Sequence, residues 1–518
     1  MPHYLCYDIK GIQHYIFQVP KLKCCIGGSR QIDEFDKKDV GKILQEIDGS
    51  ASCRFKKIYS GGGKGAFSCS GEDAEDMLNL LKKSLVKKAM GKGLTIRFGL
   101  SQDYLQASRE IVETYCYQPE NMEGQPCSFS GMYPAGSSGK ICSVMQERLH
   151  KGQREQARSP GEETFLDAIR NEFPERDCDF FYDVDPESEE GRLGAEALGN
   201  RNRWAVICMD GNDIGSQFLV YQEKYPWKTN AEKWEEWLPR MSQKLDECTT
   251  KAAKEGMCAV ARQYFRDYEN DSSRWILPLR PIIVGGDDVT ILVGCEYAML
   301  FVKTVIQAFH RLSEENKDLW LGTGGSLSIS AGILYAPVSL PICRGMEFAE
   351  ELLASAKTKG RSQKNAGARC PSPPCIDWES VTEGLLGELS WRRRHDFLFR
   401  DESSHARFEL TCRPYLLKDF EEMEELGEEL ANLPETLKHK LTIALRAPKF
   451  ERLRFYAKIA KNYPELFLAL SEPRNSHGEY GSYWKVDHQS QECVVRTRIL
   501  DILLLLQEEK RLKSETVK

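Results

Sequence analysis

Short apolar runs that end in glycine or aspartate recur in two halves of the chain and predict β-strands. In the first half, the strand HYLCYD ends at Asp8 and is followed by the hairpin RFKKIYSGGGKGAFSCS and a strand from Leu94. The second half repeats this order: WAVICMD ends at Asp210, the hairpin RPIIVGGDDVTILVG follows, and a further strand begins at Ser326. The repeated order predicts two domains built on one plan.

Between these strands, apolar residues at three- and four-residue spacing predict helices. Trp234, Leu238 and Met241 lie on one face of such a helix, which Pro239 is expected to kink or delay. The segment from Tyr297 to Leu312 is apolar nearly all round, which favours a helix buried against a sheet. Each half therefore reads β-α-β-β-α-β, the ferredoxin-like arrangement, and predicts an α+β fold.

The weaker patterns outside these two units predict an insert and a C-terminal domain. We expect the first unit at 1–116, an insert with a few short helices at 117–203, the second unit at 204–375 and a helical domain at 376–518. The insert is charge-dense, whereas the last segment alternates apolar and charged residues at helical spacing.

Composition narrows the class of protein. The chain has 518 residues, of which 41% are hydrophobic and 29% charged, so it is not a disordered chain. The net charge of −7 gives no global basic field for nucleic acid. Eighteen cysteines occur without a CxxC pair, and we see no signal segment, so a reducing cytoplasm is expected. The longest strongly apolar stretch, Ile499 to Leu506, is too short to span a membrane.

The candidate chemistry centres on four consecutive residues between two apolar, β-branched runs. Gly285 and Gly286 allow a turn with positive φ, which places Asp287 and Asp288 at the tip of a hairpin. In a β-α-β-β fold the first strand neighbours this hairpin, so we expect Asp210 to converge with Asp287. Two carboxylates together with substrate phosphates suit Mg²⁺, and a pair of such ions can activate a hydroxyl and neutralise pyrophosphate. This pattern predicts phosphoryl transfer.

Three further residues fit a triphosphate. Gly211 and Gly215 would let the main chain approach the phosphates closely, and Lys357 would add a positive charge. Taken singly, each signal has a plainer interpretation: the four-residue motif as a structural turn, Asp210 as a turn cap and Lys357 as a solvated helix residue. Their shared order favours the functional interpretation.

Several segments, taken in order, resemble the large polymerase-like subunit of type III CRISPR effector complexes and its stand-alone relatives. They also resemble, more distantly, the GGDEF diguanylate cyclases and class III nucleotide cyclases. The resemblance covers roughly residues 1–375 and rests on DIKGIQHYIF (8–17), IGGSRQIDEF (26–35), YSGGGKGAF (59–67), MDGNDIG (209–215), VGGDDVTIL (284–292) and SISAGILYAPVSLPI leading into AEELLASAK (349–357).

The resemblance implies two ferredoxin-like palm domains packed face to face, with nucleotides in the cleft and two Mg²⁺ or Mn²⁺ ions on the second palm only. In that family ATP is joined 3′ to 5′ into cyclic oligoadenylate, which switches on separate effector proteins. The first palm, whose turn has no acid, would bind nucleotide without catalysis. The implied catalytic residues are Asp210, Asp287 and Asp288, which with Gly211 would also hold the metal. The implied nucleotide-binding residues are Gly61, Gly62, Gly63, Gly211, Asp213, Gly215, Gly285, Gly286 and Lys357.

Departures from the family pattern limit what is carried over. The chain starts at the first palm, without the histidine-aspartate nuclease domain of many members, so DNA cleavage is not expected. The segment from Cys127 to Met145 resembles the inter-palm zinc ribbon, but Ser130 and Met145 stand where cysteines would be, so we expect no structural zinc. Asn212 occupies the second acidic place of the DGD form, followed by Asp213, so a second metal ligand is shifted or lost.

The leading hypothesis is a nucleotidyltransferase that makes a cyclic oligonucleotide signal in antiphage defence. One alternative is a catalytically weak structural and RNA-binding subunit of a CRISPR-type complex; another is a cyclic dinucleotide or cyclic mononucleotide synthase. Expected partners are nucleoside triphosphates, an RNA or phage-derived activator and a downstream cyclic-nucleotide-sensing effector, with no membrane. The sequence leaves open the base, the ring size and the oligomeric state.

Overall fold

The computed structural model of the chain has an α+β fold with a five-stranded, a six-stranded and a four-stranded sheet. Parts of the predicted insert (117–124) and of the predicted C-terminal domain (510–518) lie outside the residues that the structure describes. The described residues are 2–48, 54–116, 125–131, 133–135, 140–156, 158–199, 202–269, 275–321, 325–364, 370–382, 387–401, 406–447, 449–470, 483–487 and 494–509.

The first palm is built on the five-stranded sheet. The central strand of this sheet is antiparallel to both of its neighbours. The first four strands along the chain lie in the spatial order 2-3-1-4, which is that of a ferredoxin-like fold. Leu5 and Tyr7 belong to one buried cluster with Leu78 and Leu81, so a helix covers this face of the sheet. In spatial order the strands are Arg54–Gly61, Lys64–Ser70, His3–Ile9, Ile96–Ser101 and Glu113–Tyr115. The helices are Ile12–Ile16, Leu22–Glu34, the π-helix Phe35–Asp39, Val40–Asp48, Ala74–Gly91 and Tyr104–Arg109.

The second palm repeats this arrangement within the six-stranded sheet. Ala205, Ile207 and Met209 alternate along its central strand and join the buried cluster that includes its two long helices. In spatial order the strands are Tyr415–Leu416, Cys375–Ser380, Ile329–Pro337, Arg203–Gly211, Asp288–Gly294 and Leu279–Gly285. The helices are Ile214–Lys224, Trp227–Asp267, Ala298–Glu314 and Ile342–Ser362, with 3-10 turns at Cys295–Tyr297 and Lys317–Leu319.

Two details of the second palm differ from the sequence pattern. The long helix is kinked at Asn230 (φ −140°, ψ 35°), whereas Pro239 lies inside the helix. Proline removes only one backbone hydrogen bond, and the buried Leu238 and Met241 hold the helix on both sides of it. Strand Cys375–Ser380 runs parallel to Ile329–Pro337 and extends the sheet, so residue 376 lies within a strand of this sheet. The four domain limits stay predictions.

The long helix of the first palm covers one face of its sheet. The opposite face of that sheet packs against the second palm. Tyr4 lies on this face, and its hydroxyl donates to Glu235 Oε1 of the kinked helix at 3.0 Å. The ring of Tyr104 stacks on Trp227 with centroids 4.6 Å apart. The predicted α+β fold with two ferredoxin-like palms is confirmed.

A buried ion triad ties the insert to both palms. Arg30 of the first palm donates from Nε to Glu162 Oε2 at 2.9 Å, and Arg280 of the second palm donates to Glu162 Oε1. All three side chains are buried. Glu162 belongs to helix Pro160–Glu172 and also completes its capping box with Ser159. One carboxylate therefore bridges a guanidinium from each palm.

The insert and the C-terminal region are mainly helical. In the insert, Asp179–Phe180 pairs with Ile276–Leu277, and the helices are Ser143–Lys151, Pro160–Glu172 and Glu189–Ala197. The C-terminal helices are Leu389–Asp396, Leu417–Ala431, Glu435–Arg446, Lys449–Ala460, Pro464–Ala469 and Ile499–Glu508.

The C-terminal region also has a four-stranded sheet that the helical spacing did not predict, because each strand has only four residues. In spatial order its strands are Leu398–Asp401, Ala406–Glu409, Val494–Thr497 and Trp484–Asp487. Within the described ranges, no helix combines the length and the apolar character needed to cross a membrane.

Candidate metal and nucleotide site

Three carboxylates meet at the tip of the second palm's hairpin. Asp288 pairs with Gly285 across the hairpin, which leaves a two-residue turn of Gly286, at φ +63°, and Asp287. Asp288 also lies directly opposite Asp210 on the neighbouring strand. Each of Asp210, Asp287 and Asp288 offers a carboxylate oxygen, and these oxygens lie within 4.8 Å of one another. The structure thus brings the three predicted acids together, and we call them the acidic cluster.

The kinked helix holds the turn of the acidic cluster from behind. Asp246 Oδ1 accepts the backbone N–H of Gly286 at 2.8 Å, and the Thr249 hydroxyl donates to the carbonyl of Gly286 at 2.6 Å. A Cβ at Gly285 would lie 3.2 Å from Asp246 Oδ1, so a side chain there would crowd this support. The sequence alone does not indicate the role of Asp246 and Thr249, because it depends on how the helix packs against the hairpin.

Partial burial and mutual repulsion together shape the electrostatics of the acidic cluster. Burial, followed by the charges of Asp210 and Asp288, raises the pKa of Asp287 to about 7. Burial and Asp210 likewise raise the pKa of Asp288 to about 6, against the lowering effect of Lys357 and Lys64. A divalent cation would balance three carboxylates that repel one another, and hard oxygen donors at this spacing fit Mg²⁺ or Mn²⁺.

Lys357 lies at the acidic cluster itself. It projects from helix Ile342–Ser362, and its ammonium donates to the carboxylate of Asp210 and, at 3.0 Å, to the carbonyl of Gly211. This contact places one positive charge against the three carboxylates. Lys357, expected from the sequence at a phosphate, lies beside the acids that would face that phosphate; its phosphate contact stays a prediction.

The turn after Asp210 requires glycine at one position and leaves room at another. The N–H of Gly211 donates to the carbonyl of Asp287 at 3.2 Å, and a Cβ at Gly211 would lie 2.7 Å from Ile214 Cγ1. Gly211 therefore permits the close approach of this turn to the hairpin. At Gly215, in the first turn of helix Ile214–Lys224, a Cβ would meet no atom within 4 Å.

The side chains of Asn212 and Asp213 bind residues outside the acidic cluster. The buried Asn212 amide donates to Ser328 Oγ at 2.9 Å. Asp213 Oδ2 accepts the N–H and the hydroxyl of Ser372, at 2.8 and 2.7 Å, and the ammonium of Lys364 at 3.2 Å. Burial would raise the pKa of Asp213, but these contacts outweigh it and lower the pKa. The side chains of both residues fasten the turn to neighbouring segments, and a nucleotide role for Asp213 stays a prediction.

The first palm presents a similar turn without acids. Gly62 and Gly63 have φ values of +62° and +75°, and the N–H of Gly63 donates to Asp36 Oδ2 at 2.6 Å. Asp36 is buried, which raises its pKa to about 6. Gly61 and Gly62 are exposed, and a Cβ at either would meet no atom within 4 Å. Both palms thus anchor their turn through an aspartate, Asp36 here and Asp246 in the second palm.

Comparison with known proteins bears on the second palm directly. Residues 203–368 match the family described as Cas10/Cmr2, second palm domain. The predicted resemblance is confirmed. The matched Cas10/Cmr2 segment contains the whole acidic cluster and Lys357.

Solved structures of similar fold extend beyond the matched segment. They include Csm1–Csm4 cassettes crystallised with cA4 (14% identity, TM-score 0.52), with cA3 (13%, 0.50) and with AMPPNP (14%, 0.50). Each alignment covers 98% of this chain, and it covers 70%, 69% and 69% of the respective matched chain. At these identities the likeness concerns the fold. A search of curated proteins found no match to the sequence.

The ribbon-like segment between the palms brings two of its cysteines into one cluster. Cys127 and Cys142 are buried in a small cluster with Cys24 and Met145. Burial would raise the pKa of Cys127, but bonds from backbone N–H groups and from the hydroxyl of Ser130 outweigh it and lower the pKa to about 7. Ser130 thus acts as a hydrogen-bonding partner of Cys127. The expected absence of structural zinc stays a prediction.

Proposed function

We propose that the chain is a metal-dependent nucleotidyltransferase that joins nucleoside triphosphates, ATP foremost, into a cyclic oligonucleotide and releases pyrophosphate. The observation that carries this proposal is the convergence of Asp210, Asp287 and Asp288 within 4.8 Å on a Cas10/Cmr2 second palm. Carboxylates so close together suit divalent cations, and phosphoryl transfer is the chemistry such cations serve.

Different residues of the second palm would bind the metal ions, orient their ligands and bind the phosphates. Asp210, Asp287 and Asp288 would hold two Mg²⁺ or Mn²⁺ ions, with Gly211 beside them. When bound, such ions activate the attacking hydroxyl and neutralise charge on the leaving pyrophosphate. Lys357 orients Asp210 and the carbonyl of Gly211 through its two contacts. The first turn of the helix that begins at Ile214, whose N-cap residue Asp213 makes no side-chain cap bond, would offer backbone N–H groups to phosphate oxygens.

The similar structures support the choice of nucleotide and product. Csm1–Csm4 cassettes of this fold were crystallised in complex with AMPPNP, with cA3 and with cA4. By analogy, we assign ATP as the substrate and a cyclic oligoadenylate as the product. The proposal includes an RNA or phage-derived activator, a downstream effector that senses the product, and action in antiphage defence in the cytoplasm.

The proposal is tested by product analysis. Purified protein is incubated with each nucleoside triphosphate and Mg²⁺ or Mn²⁺, with and without RNA, and products are resolved by ion exchange and mass spectrometry. We expect a cyclic product from ATP that disappears in Asp287→Ala. The matched control is Asp167→Ala, which removes an exposed carboxylate from helix Pro160–Glu172 and should leave the product unchanged. Circular dichroism checks that both variants fold.

Two results would contradict the proposal. If Asp287→Ala makes as much product as the wild-type protein, the acidic cluster is not the metal site. If the wild-type protein makes no product but binds RNA with a steep salt dependence, the chain is a structural and RNA-binding subunit instead.

A further inference from the structure

Cys127 and Cys142 form a pair of hydrogen-bonded thiols in the insert. The thiol of Cys142 donates to the sulfur of Cys127, and both side chains are buried in one cluster. The backbone holds the two segments together, because the N–H of Ser128 donates to the carbonyl of Lys140 at 2.8 Å. A disulfide joins side chains whose Cβ atoms are about 4 Å apart, so two sulfurs in hydrogen-bond contact need only a small movement to form one.

The two thiols differ in what surrounds them. The sulfur of Cys127 accepts the backbone N–H groups of Phe129, Ser130 and Cys142, and it also accepts the Ser130 hydroxyl. Donors directed at a sulfur stabilise the thiolate, which is the nucleophilic form of cysteine. Cys142 is instead the donor in the contact between the two sulfurs, and burial raises its pKa. Cys127 therefore suits the role of nucleophile, and Cys142 suits that of the second thiol.

The surroundings favour a pair of thiols over a bound metal ion. A closed zinc site takes four ligands, and within the described ranges no third Cys, His, Asp or Glu ligand atom lies within 4.8 Å of both sulfurs. The buried guanidinium of Arg148 lies 3.5 Å from the ring centre of Tyr15 and, among the described residues, binds no carboxylate. Its charge opposes the effect of burial on the pKa of Cys24, a third member of the thiol cluster. A positive charge here repels a cation and favours thiolates.

A small oxidant has a short path to the pair. Ser128 and Ser143, the residues that follow the two cysteines, are both exposed. The sulfurs therefore lie one residue away from the protein surface. In a reducing cytoplasm, which the sequence predicts for this chain, disulfides are usually transient and redox-sensing.

We propose that Cys127 and Cys142 form a reversible disulfide when the protein meets hydrogen peroxide. The sulfur of Cys127 attacks one peroxide oxygen, the O–O bond breaks, and a sulfenic acid and one water are formed. The sulfur of Cys142 then attacks the sulfenic sulfur, the S–O bond breaks, and a second water leaves with the remaining proton. The pair of thiols is oxidised and the peroxide is reduced. A dithiol reverses the reaction by thiol–disulfide exchange.

The disulfide would fasten the ribbon-like segment to the start of helix Ser143–Lys151. This helix packs closely on helix Leu22–Glu34 of the first palm, since a Cβ at Gly27 would lie 1.8 Å from the carbonyl oxygen of Arg148. Oxidation would thus tie the segment that contains Cys127 to the first palm.

Peptide mass spectrometry of the full chain tests this assignment. The reduced protein is treated with hydrogen peroxide, the remaining thiols are alkylated, and trypsin digestion without reductant separates the two cysteines by cleavage after Lys140. The variants are Cys142→Ser and the matched control Cys116→Ser, which removes an exposed cysteine. The zinc content of the untreated protein is measured in parallel.

We expect a peptide pair linked through Cys127 and Cys142 in the wild type and in Cys116→Ser, and its loss after treatment with dithiothreitol. In Cys142→Ser the link should be absent, and dimedone should trap a sulfenic acid at Cys127. Oxidation should raise the melting temperature of the wild type by about 2–6 °C, because the disulfide restricts the unfolded chain. It should leave that of Cys142→Ser unchanged.

Three results would overturn the inference. The first is oxidation of Cys116 in the wild type without any link between Cys127 and Cys142. The second is a link from Cys127 to Cys24 in their place. The third is one zinc ion per chain that is lost in Cys142→Ser and that protects the wild type from peroxide, which would make the pair part of a metal site. The wild-type arms of the experiment decide the first two results even if Cys142→Ser fails to fold.

Discussion

Asparagine in place of Asp287 should stabilise the metal-free protein at pH 8 and abolish its stabilisation by Mg²⁺. Asp287 is half-buried between two other carboxylates, and burial together with Asp210 and Asp288 raises its pKa from 3.8 to about 7. The unfolded chain has no such repulsion. The native state therefore binds the proton more tightly, and ionisation of Asp287 destabilises it.

The size of the expected gain in stability and its pH dependence follow from this pKa shift. A rise in pKa from 3.8 to about 7 corresponds to about 4 kcal/mol, which partial exposure to water reduces to about 1–3 kcal/mol. The destabilisation is absent below pH 4, grows as the pH rises through the interval to about 7 and is complete above it. Asparagine is uncharged and resembles the protonated acid, so the gain should be present at pH 8 and absent at pH 4.

Thermal unfolding in the presence of a chelator measures the effect. At pH 8 the Asp287→Asn protein should melt several degrees above the wild type, and added Mg²⁺ should raise the melting temperature of the wild type only. Asp167→Asn, an exposed carboxylate elsewhere, should change stability by less than about 0.5 kcal/mol. The reasoning is refuted if Asp287→Asn melts at or below the wild-type temperature at pH 8, or if the difference persists at pH 4.

Two further substitutions test the turn after Asp210. Asn212→Asp should destabilise the protein by about 1–3 kcal/mol in chemical denaturation, because a buried carboxylate would replace the amide donor to Ser328; a gain in Mg²⁺ affinity without this loss would show that residue 212 can serve as a metal ligand. Gly211→Ala should lower product formation and Mn²⁺ affinity together, because its Cβ would lie 2.7 Å from Ile214; unchanged Mn²⁺ binding would contradict the close packing of this turn.

The acidic cluster could be predicted from the sequence because only the strands and their order in the sheet were needed to place its residues. Apolar runs fixed the strands, and the ferredoxin-like order makes the first strand a neighbour of the hairpin. Asp210 and Asp288 consequently lie directly opposite each other on neighbouring strands, as the structure shows. A local motif and one topological rule were enough to bring together residues far apart in the chain.

The residues that hold the turns of the site in place could not be predicted from the sequence in this way. Asp246 and Ser372 act through contacts that depend on how a helix or a loop docks, and periodicity says nothing about docking. Asp213 looked like a shifted metal ligand because it follows Asn212, yet Ser372 and Lys364 bind its carboxylate. The four-residue strands of the C-terminal sheet were likewise too short to show an alternating pattern.

The buried triad of Arg30, Glu162 and Arg280 restricts how these palms can be recombined with those of related proteins. A chimera that takes its first palm from one parent and its insert from another brings together residues that have not been selected as a set. If Glu162 is lost, two buried guanidinium groups are left without their shared carboxylate, which costs more than the pair contributes when intact. Crossover points that keep residues 30, 162 and 280 from one parent should therefore yield folded hybrids more often than points that separate them.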